Sequence, residues 1–168
     1  KTATEVGGDY YDFNVSLDNL YMLNLGSRDM EKTFKSSNYL KIVKYMYKRY
    51  SFVPLVVQNP SQEYLQENFI KDYLVPNSCE YCKLKSLSIE EIGAMMKIAK
   101  FIITPDTGLL HIASAVKLPT IGLFTYTPVD EVIPEDNIFE SLNEAWFDSS
   151  DSFNLKANKS MESFVAKI

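Results

Sequence analysis

Hydrophobic positions along this chain fall into short apolar blocks separated by longer stretches with helical spacing. Five blocks are rich in β-branched and aromatic residues and predict strands at residues 20–25, 52–57, 81–84, 101–104 and 120–124. In the first intervening stretch Tyr39, Ile42, Val43, Met46 and Tyr50 share one helical face, while Lys41, Lys44 and Lys48 point elsewhere. A second helix is predicted over 62–74 with Ser61 as its N-cap. The third opens with Ser88-Ile89-Glu90-Glu91, a capping-box pattern, and runs to Lys100. The fourth runs from Thr107 to about Lys117 and is stopped by Pro119. Its core stripe is Leu109, Ile112, Ala113 and Val116; Thr107 and His111 lie one turn apart on the opposite face, beside Ser114. Residues 1–19 are polar and irregular and are expected to be a linker or terminal extension, leaving 20–168 as one domain. Beyond Phe124 the pattern weakens, and 159–168 predicts a closing helix.

Strands that alternate with helices imply βαβ units, hence a parallel sheet with helices on both faces. In such sheets ligands sit outside the C-terminal ends of the strands. That rule nominates the loops 26–32, 58–61, 85–88, 105–108 and 125–128.

Composition narrows the function. A chain of 168 residues can bury a core without metal or disulfide staples. Its net charge of -5 disfavours a nucleic-acid partner, which asks for a basic face. No apolar run approaches the ~20 residues of a membrane span, and no secretory signal pattern stands at the start. The first residue is Lys1 rather than methionine, so the chain is expected to be a piece of a longer protein. Cys79 and Cys82 form a C-x-x-C pair, but His111 is the one histidine, too few ligands for a zinc site, and no metal is expected. The pair precedes a strand-like run rather than opening a helix, so it is expected to be a chance pair in a reducing compartment rather than a redox motif. The eleven tyrosines are expected to serve core edges and surface, and Trp146 with Phe147 either to anchor the C-terminal segment or to face a further domain.

Two loops carry candidate chemistry. In Thr104-Pro105-Asp106-Thr107-Gly108-Leu109-Leu110-His111 a strand runs through a turn into a helix. The first N–H groups of that helix lack partners, and its dipole attracts anions. Gly108, having no side chain, lets a ligand approach the backbone. The plainer alternative is that Asp106 caps the helix and His111 is a surface residue. After the first strand, Gly26 and Ser27 suit a turn against a phosphate, and Arg28 and Lys32 could neutralise a diphosphate. Asp29 and Glu31 are interleaved there, as in an ordinary solvated loop.

The run Asp106-Thr107-Gly108-Leu109-Leu110-His111-Ile112-Ala113, followed by Leu118-Pro119-Thr120-Ile121-Gly122-Leu123-Phe124, resembles the C-terminal half of family 9 glycosyltransferases, the heptosyltransferases of lipopolysaccharide core synthesis and their relatives. The segment Asn24-Leu25-Gly26-Ser27 with Lys32-Thr33-Phe34 is similar to that family's N-P-G-[AS]…K-x-W pattern. The resemblance spans roughly residues 21–127. It implies a Rossmann-like donor domain, the C-terminal half of a GT-B enzyme. Lys32 would then bind the donor's phosphates and Ser27 would lie beside them. Asp106 would lie near the donor sugar, and Thr107, Gly108 and His111 around phosphates and sugar. Leu87 would meet the nucleotide base, and Gln62 or Glu63 would fall near the ribose. The donor would be ADP-heptose or another nucleotide-sugar, with no cofactor. The acceptor, a glycolipid or glycan, and the catalytic base would belong to an N-terminal domain, so no catalytic residue is expected in this chain and little transfer by it alone. The implied location is cytoplasmic, peripheral to the inner face of the membrane.

The sequence departs from the pattern in places. Where relatives carry G-G-x-x-E, this chain has Gln58-Asn59-Pro60-Ser61-Gln62-Glu63. Leu25 replaces a proline, Phe34 a tryptophan and Leu118 a small or polar residue. The missing glycines keep open a non-catalytic nucleotide-binding or regulatory module. A dinucleotide oxidoreductase is disfavoured, since Gly26-Ser27-Arg28 lacks the further glycines of G-x-G-x-x-G.

Overall fold

The computed structural model describes residues 2–6, 9–13, 17–26, 34–85, 88–125, 137–147 and 153–168. Strands β1 (Thr2–Val6) and β2 (Asp9–Phe13) pair antiparallel as a separate two-stranded sheet, so part of the stretch read as irregular is extended and paired. Six further strands form one parallel sheet: β3 (Leu20–Leu23), β4 (Val53–Val57), β5 (Cys82–Leu84), β6 (Ile102–Pro105), β7 (Thr120–Phe124) and β8 (Phe139–Asn143). Their spatial order is β5-β4-β3-β6-β7-β8. The order reverses between β3 and β6, which makes the C-terminal ends of those two strands the crevice where such sheets bind ligands.

The predicted helices appear with adjusted ends: α1 (Ser36–Tyr50), α2 (Glu63–Phe69), α3 (Ile89–Ile98), α4 (Gly108–Ala115) and α5 (Asn158–Lys167). In α1, Tyr39, Ile42, Val43 and Met46 are buried and the three lysines exposed, as the spacing requires. Ser88 accepts a bond from the Glu91 amide while the Glu91 carboxylate accepts from the Ser88 amide, completing the capping box of α3.

Two sequence expectations about the helices are corrected, the capping role of Ser61 and the burial of Val116, and one strand was missed. Ser61 does not cap α2: it lies in a left-handed turn at φ 64, and the cap position is held by Gln62, whose side chain makes no cap bond. The helical stretch continues past Phe69 as a π-type turn over Ile70–Leu74. Val116 is not core, because α4 ends at Ala115 and leaves it 49% exposed; Leu110 is buried instead. Strand β8 lacks the buried apolar run of the other strands, with only Leu142 fully buried, which is why its pattern escaped the sequence.

Alternation along each strand splits the core in two. Leu20 and Met22 join Val53, Leu55, Val57 and Ile102 beneath α3 and α4. Tyr21 and Leu23 join Val56, Phe101 and Ile103 with the buried faces of α1 and α5. Tyr21 and Tyr39 are fully buried, whereas Tyr47 and Tyr64 are exposed, so the tyrosines do divide between core and surface. Phe147 is buried, edge-on to Phe34 at 5.5 Å, and its carbonyl accepts a bond from Lys41 Nζ at 3.2 Å, which ties the C-terminal segment to α1.

Candidate functional site

Asn24, immediately after β3, is buried to 1% exposure and organises the switch point. A buried carboxamide must place its donors and acceptor or lose roughly 1–3 kcal/mol for each group left unmet. Here Nδ2 donates to Thr104 Oγ1 at 3.0 Å and to Thr107 Oγ1 at 3.2 Å. Oδ1 accepts from Asn59 Nδ2 at 2.7 Å and, more loosely, from the Gly26 amide at 3.4 Å. The Asn24 carbonyl accepts from the Tyr39 hydroxyl at 3.0 Å. One side chain thus joins the ends of β3 and β6, the loop after β4 and the start of α4.

The α4 turn is built around this hub. Thr107 occupies the N-cap position, yet its side chain makes no cap bond. Its hydroxyl faces the sheet, 3.2 Å from both Asn24 Nδ2 and Thr104 Oγ1. Asp106 therefore does not hold the cap position. Its side chain is 12% exposed and lies 3.8 Å from His111 Nε2, a distance beyond a good hydrogen bond. His111 stands exposed on the next turn of the helix. Around Gly108 a Cβ atom would meet nothing within 4 Å, so the backbone there opens to space.

Gly26 is different. A Cβ atom there would come within 2.7 Å of Leu65 Cδ1 and 2.8 Å of Gln62 Oε1. Its lack of a side chain serves close packing against the start of α2, and Gln62 rather than Glu63 is the residue turned towards it. Glu63 is exposed and accepts the Ser61 amide at 3.2 Å. Gln58 donates to Gln66 at 3.3 Å, and buried Gln66 bridges the carbonyls of Val56 and Leu84 at 2.8 and 2.7 Å. Both residues that replace the family glycines are thus engaged in polar bonds among the strand ends.

Asp106, Thr107, Gly108 and His111 are therefore brought together on one turn, and Asn24 attaches that turn to the start of the loop carrying Ser27 and Lys32. Ser27, Lys32 and Leu87, together with Arg28, lie outside the described residues. Beside the turn a narrow cleft of ≈ 30 Å³ opens between Met22, Val57, Leu84, Ile92 and Leu109, with Asn59 and Lys85 also lining it. That volume suits about one water molecule, so a flat ring needs its rim to part. Sequence reasoning left Asn24 and Asn59 out of the candidate site; the signal available was a polar residue ending each of two buried strands.

The cysteines take opposite faces of the sheet. Cys82 is buried among the residues under α3 and α4, and Cys79 packs against the other core. Both are free. Burial, with a smaller contribution from Glu80, pushes the Cys82 thiol up to about 12; burial also raises Cys79, less so because Lys44 opposes it. Since thiolate is the reactive form, a disulfide-exchange reagent at pH 8 should label Cys79 slowly and Cys82 only on unfolding. Rapid labelling of both in the native chain would contradict this placement.

The sequence matches the family described as glycosyltransferase family 9 (heptosyltransferase) over residues 8–163. Among curated proteins none matches. Solved structures share the fold at low identity. A family 9 glycosyl transferase from Veillonella parvula aligns with TM-score 0.73 and 14% identity, over 90% of this chain and 47% of that one. The E. coli heptosyltransferase WaaC with ADP aligns at 0.65 and 14%, over 90% and 44%. The E. coli ADP-heptose lps heptosyltransferase II aligns at 0.65 and 15%, over 76% and 39%. The chain thus spans less than half the length of these structures.

Proposed function

The chain belongs to glycosyltransferase family 9, and on that premise we propose that residues 20–168 form the nucleotide-sugar-binding half of an inverting, heptosyltransferase-like enzyme. The observation that supports this most is the bond from Asn24 to Thr107 across the switch point. It sets the uncapped start of α4 beside the start of the loop that bears Ser27 and Lys32. In the reaction an acceptor hydroxyl attacks the anomeric carbon, the bond from that carbon to the diphosphate oxygen breaks, and the nucleoside diphosphate leaves. Lys32 and the first amides of α4 stabilise the charge gathering on the leaving group. His111, exposed one turn on, donates a hydrogen bond to the same region. The cleft lined by Leu84 and Leu109 takes an edge of the base once its rim parts. The acceptor proton passes to a base outside this chain, and the acceptor is a lipopolysaccharide or other surface glycan precursor at the inner face of the membrane. No helix among the described residues is long and apolar enough to cross a membrane.

Calorimetric titration with ADP, UDP and GDP tests this assignment. At least one should bind saturably, with no metal added. A second reading, a nucleotide-binding module without catalysis, draws on Asn59: where the family pattern has glycine, its side chain is committed to Asn24. Transfer of sugar to an acceptor by the longer protein would exclude that module, and saturable binding without transfer would favour it.

A further inference from the structure

A cavity of ≈ 260 Å³ lies between α1 and the turn at residues 77–80, against ≈ 30 Å³ for the cleft beside α4. The turn leads into β5, and the part of α1 that faces it leads into β4, so the cavity opens at the entry ends of the strands. The switch point lies at the opposite ends, and none of the donor-site residues lines this cavity. Its walls are held by the protein's own bonds. The Asn77 side chain donates to the Tyr73 carbonyl at 2.7 Å, the Ser78 amide to the Val75 carbonyl at 3.1 Å and the Cys79 amide to the Leu74 carbonyl at 3.0 Å. Across from them the Tyr47 hydroxyl donates to the Glu80 carboxylate at 3.3 Å, tying helix to turn over 33 positions of sequence. Buried Val43 and half-buried Cys79 supply an apolar floor, while Lys44 and Lys48 stand exposed, one turn apart on α1.

Charge runs against the rest of the chain here. Residues 35–50 hold Lys35, Lys41, Lys44, Lys48 and Arg49 and no acid, in a chain whose net charge is -5. Lys41 is bonded to the Phe147 carbonyl and Arg49 is paired with Glu162. Lys44 and Lys48 make no ion pair among the described residues. Glu80 is the one carboxylate lining the cavity, and the Tyr47 hydroxyl already engages it. We propose that this cavity is a second ligand site, for a small phosphate monoester with a compact apolar body. Two ammonium groups match a group that carries nearly two negative charges at neutral pH. Val43, Cys79 and the face of Tyr47 give the body apolar contact, and the volume approaches the roughly 300 Å³ at which small-molecule pockets begin. A bare inorganic anion would leave that floor uncovered. A lipid held by its headgroup would keep its tails outside a cavity of this size.

Phenyl phosphate is the probe, and Cys79 reports occupancy because it lines the cavity. Alkylation of Cys79 by iodoacetamide is timed with and without the probe, while Cys82, buried on the other face of the sheet, monitors unfolding. Phenyl phosphate should slow Cys79 labelling saturably, at the millimolar concentrations expected of so small a ligand, and leave Cys82 unlabelled. Absence of protection overturns the proposal. Lys44→Gln and Lys48→Gln alter exposed helix positions and keep helix propensity, so the fold should stand. Each should raise the half-protecting concentration about three-fold and the pair about ten-fold. Taking the ratio of rates within each variant removes the direct pull of Lys44 on the thiol. Protection untouched by the double substitution counts against the lysines and the proposal with them. Inorganic phosphate should protect about ten-fold more weakly, for want of a ring to bury; equal protection would reduce the site to a surface charge patch. Vesicles containing phosphatidic acid form the other control: binding to them without protection by phenyl phosphate would assign the lysines to a membrane surface and overturn the cavity site. Saturating ADP should leave protection by phenyl phosphate intact, and its abolition would move the probe to the donor crevice.

Discussion

Replacing Lys32 by alanine should lower nucleotide affinity about 10- to 100-fold, the effect of losing a charge-assisted contact worth roughly 1.5–3 kcal/mol. Lys32 matches the family lysine in a loop that begins next to Gly26, and Gly26 is two residues from the hub joined to Thr107. The chain carries a net charge of -5, so a diphosphate approaching it meets overall repulsion and depends on local cations and oriented amides. Arg28 lies in the same loop but not at the lysine position of the family pattern. Salt separates the contributions: affinity in the original chain should fall as ionic strength rises, and Lys32→Ala should flatten that slope. Unchanged affinity in Lys32→Ala, with the chain folded, would remove the lysine from the diphosphate site and favour a module that grips its ligand by the α4 turn alone.

Phe101→Ala should destabilise the fold by about 3–5 kcal/mol, the range for deleting a fully buried aromatic ring. Phe101 is 0% exposed, stacks on Tyr21 with ring centroids 4.9 Å apart and planes 2° apart, and meets Phe164 edge-on at 5.3 Å and Phe52 at 5.5 Å. These four rings join the entry ends of β3, β4 and β6 to α5, elements far apart in sequence. Domains of this kind hold roughly 5–15 kcal/mol in total, so the loss takes a large share of it. Urea unfolding followed by circular dichroism measures it. The ring lies at the start of β6 and the candidate site at its end, so nucleotide affinity of the folded chain should change little. A destabilisation below about 1 kcal/mol would mean that the cavity collapses and that the aromatic cluster is not what fastens α5 to the sheet.

Much of the architecture was legible because periodicity reports burial directly. Strands buried on both faces carry unbroken apolar runs, as in Val53–Val57 and Thr120–Phe124, and α1 carries a one-sided stripe. The capping box at Ser88 was readable because it needs only residues three apart. Where burial is partial the signal fades: β8 is mostly half-buried, and its pattern is close to that of a loop. Ser61 illustrates a local ambiguity, since serine serves both as an N-cap and in turns, and here it takes the turn at φ 64.

The candidate site divides in the same way. Sequence by itself determined that a strand, a turn with an open glycine and a helix follow one another at Thr104-Pro105-Asp106-Thr107-Gly108, and that this run matches a glycosyltransferase pattern, because those features are set by neighbours along the chain. It also determined which face of α4 would carry His111. Only the tertiary structure decided that Asn24, Asn59, Thr104 and Thr107 share one hydrogen-bonded cluster, since they come from three separate stretches of chain and a bond between residues separated by as many as 83 positions leaves no local trace. It likewise decided that the threonine would turn away from its own helix, a choice made by a buried carboxamide that must place its protons somewhere.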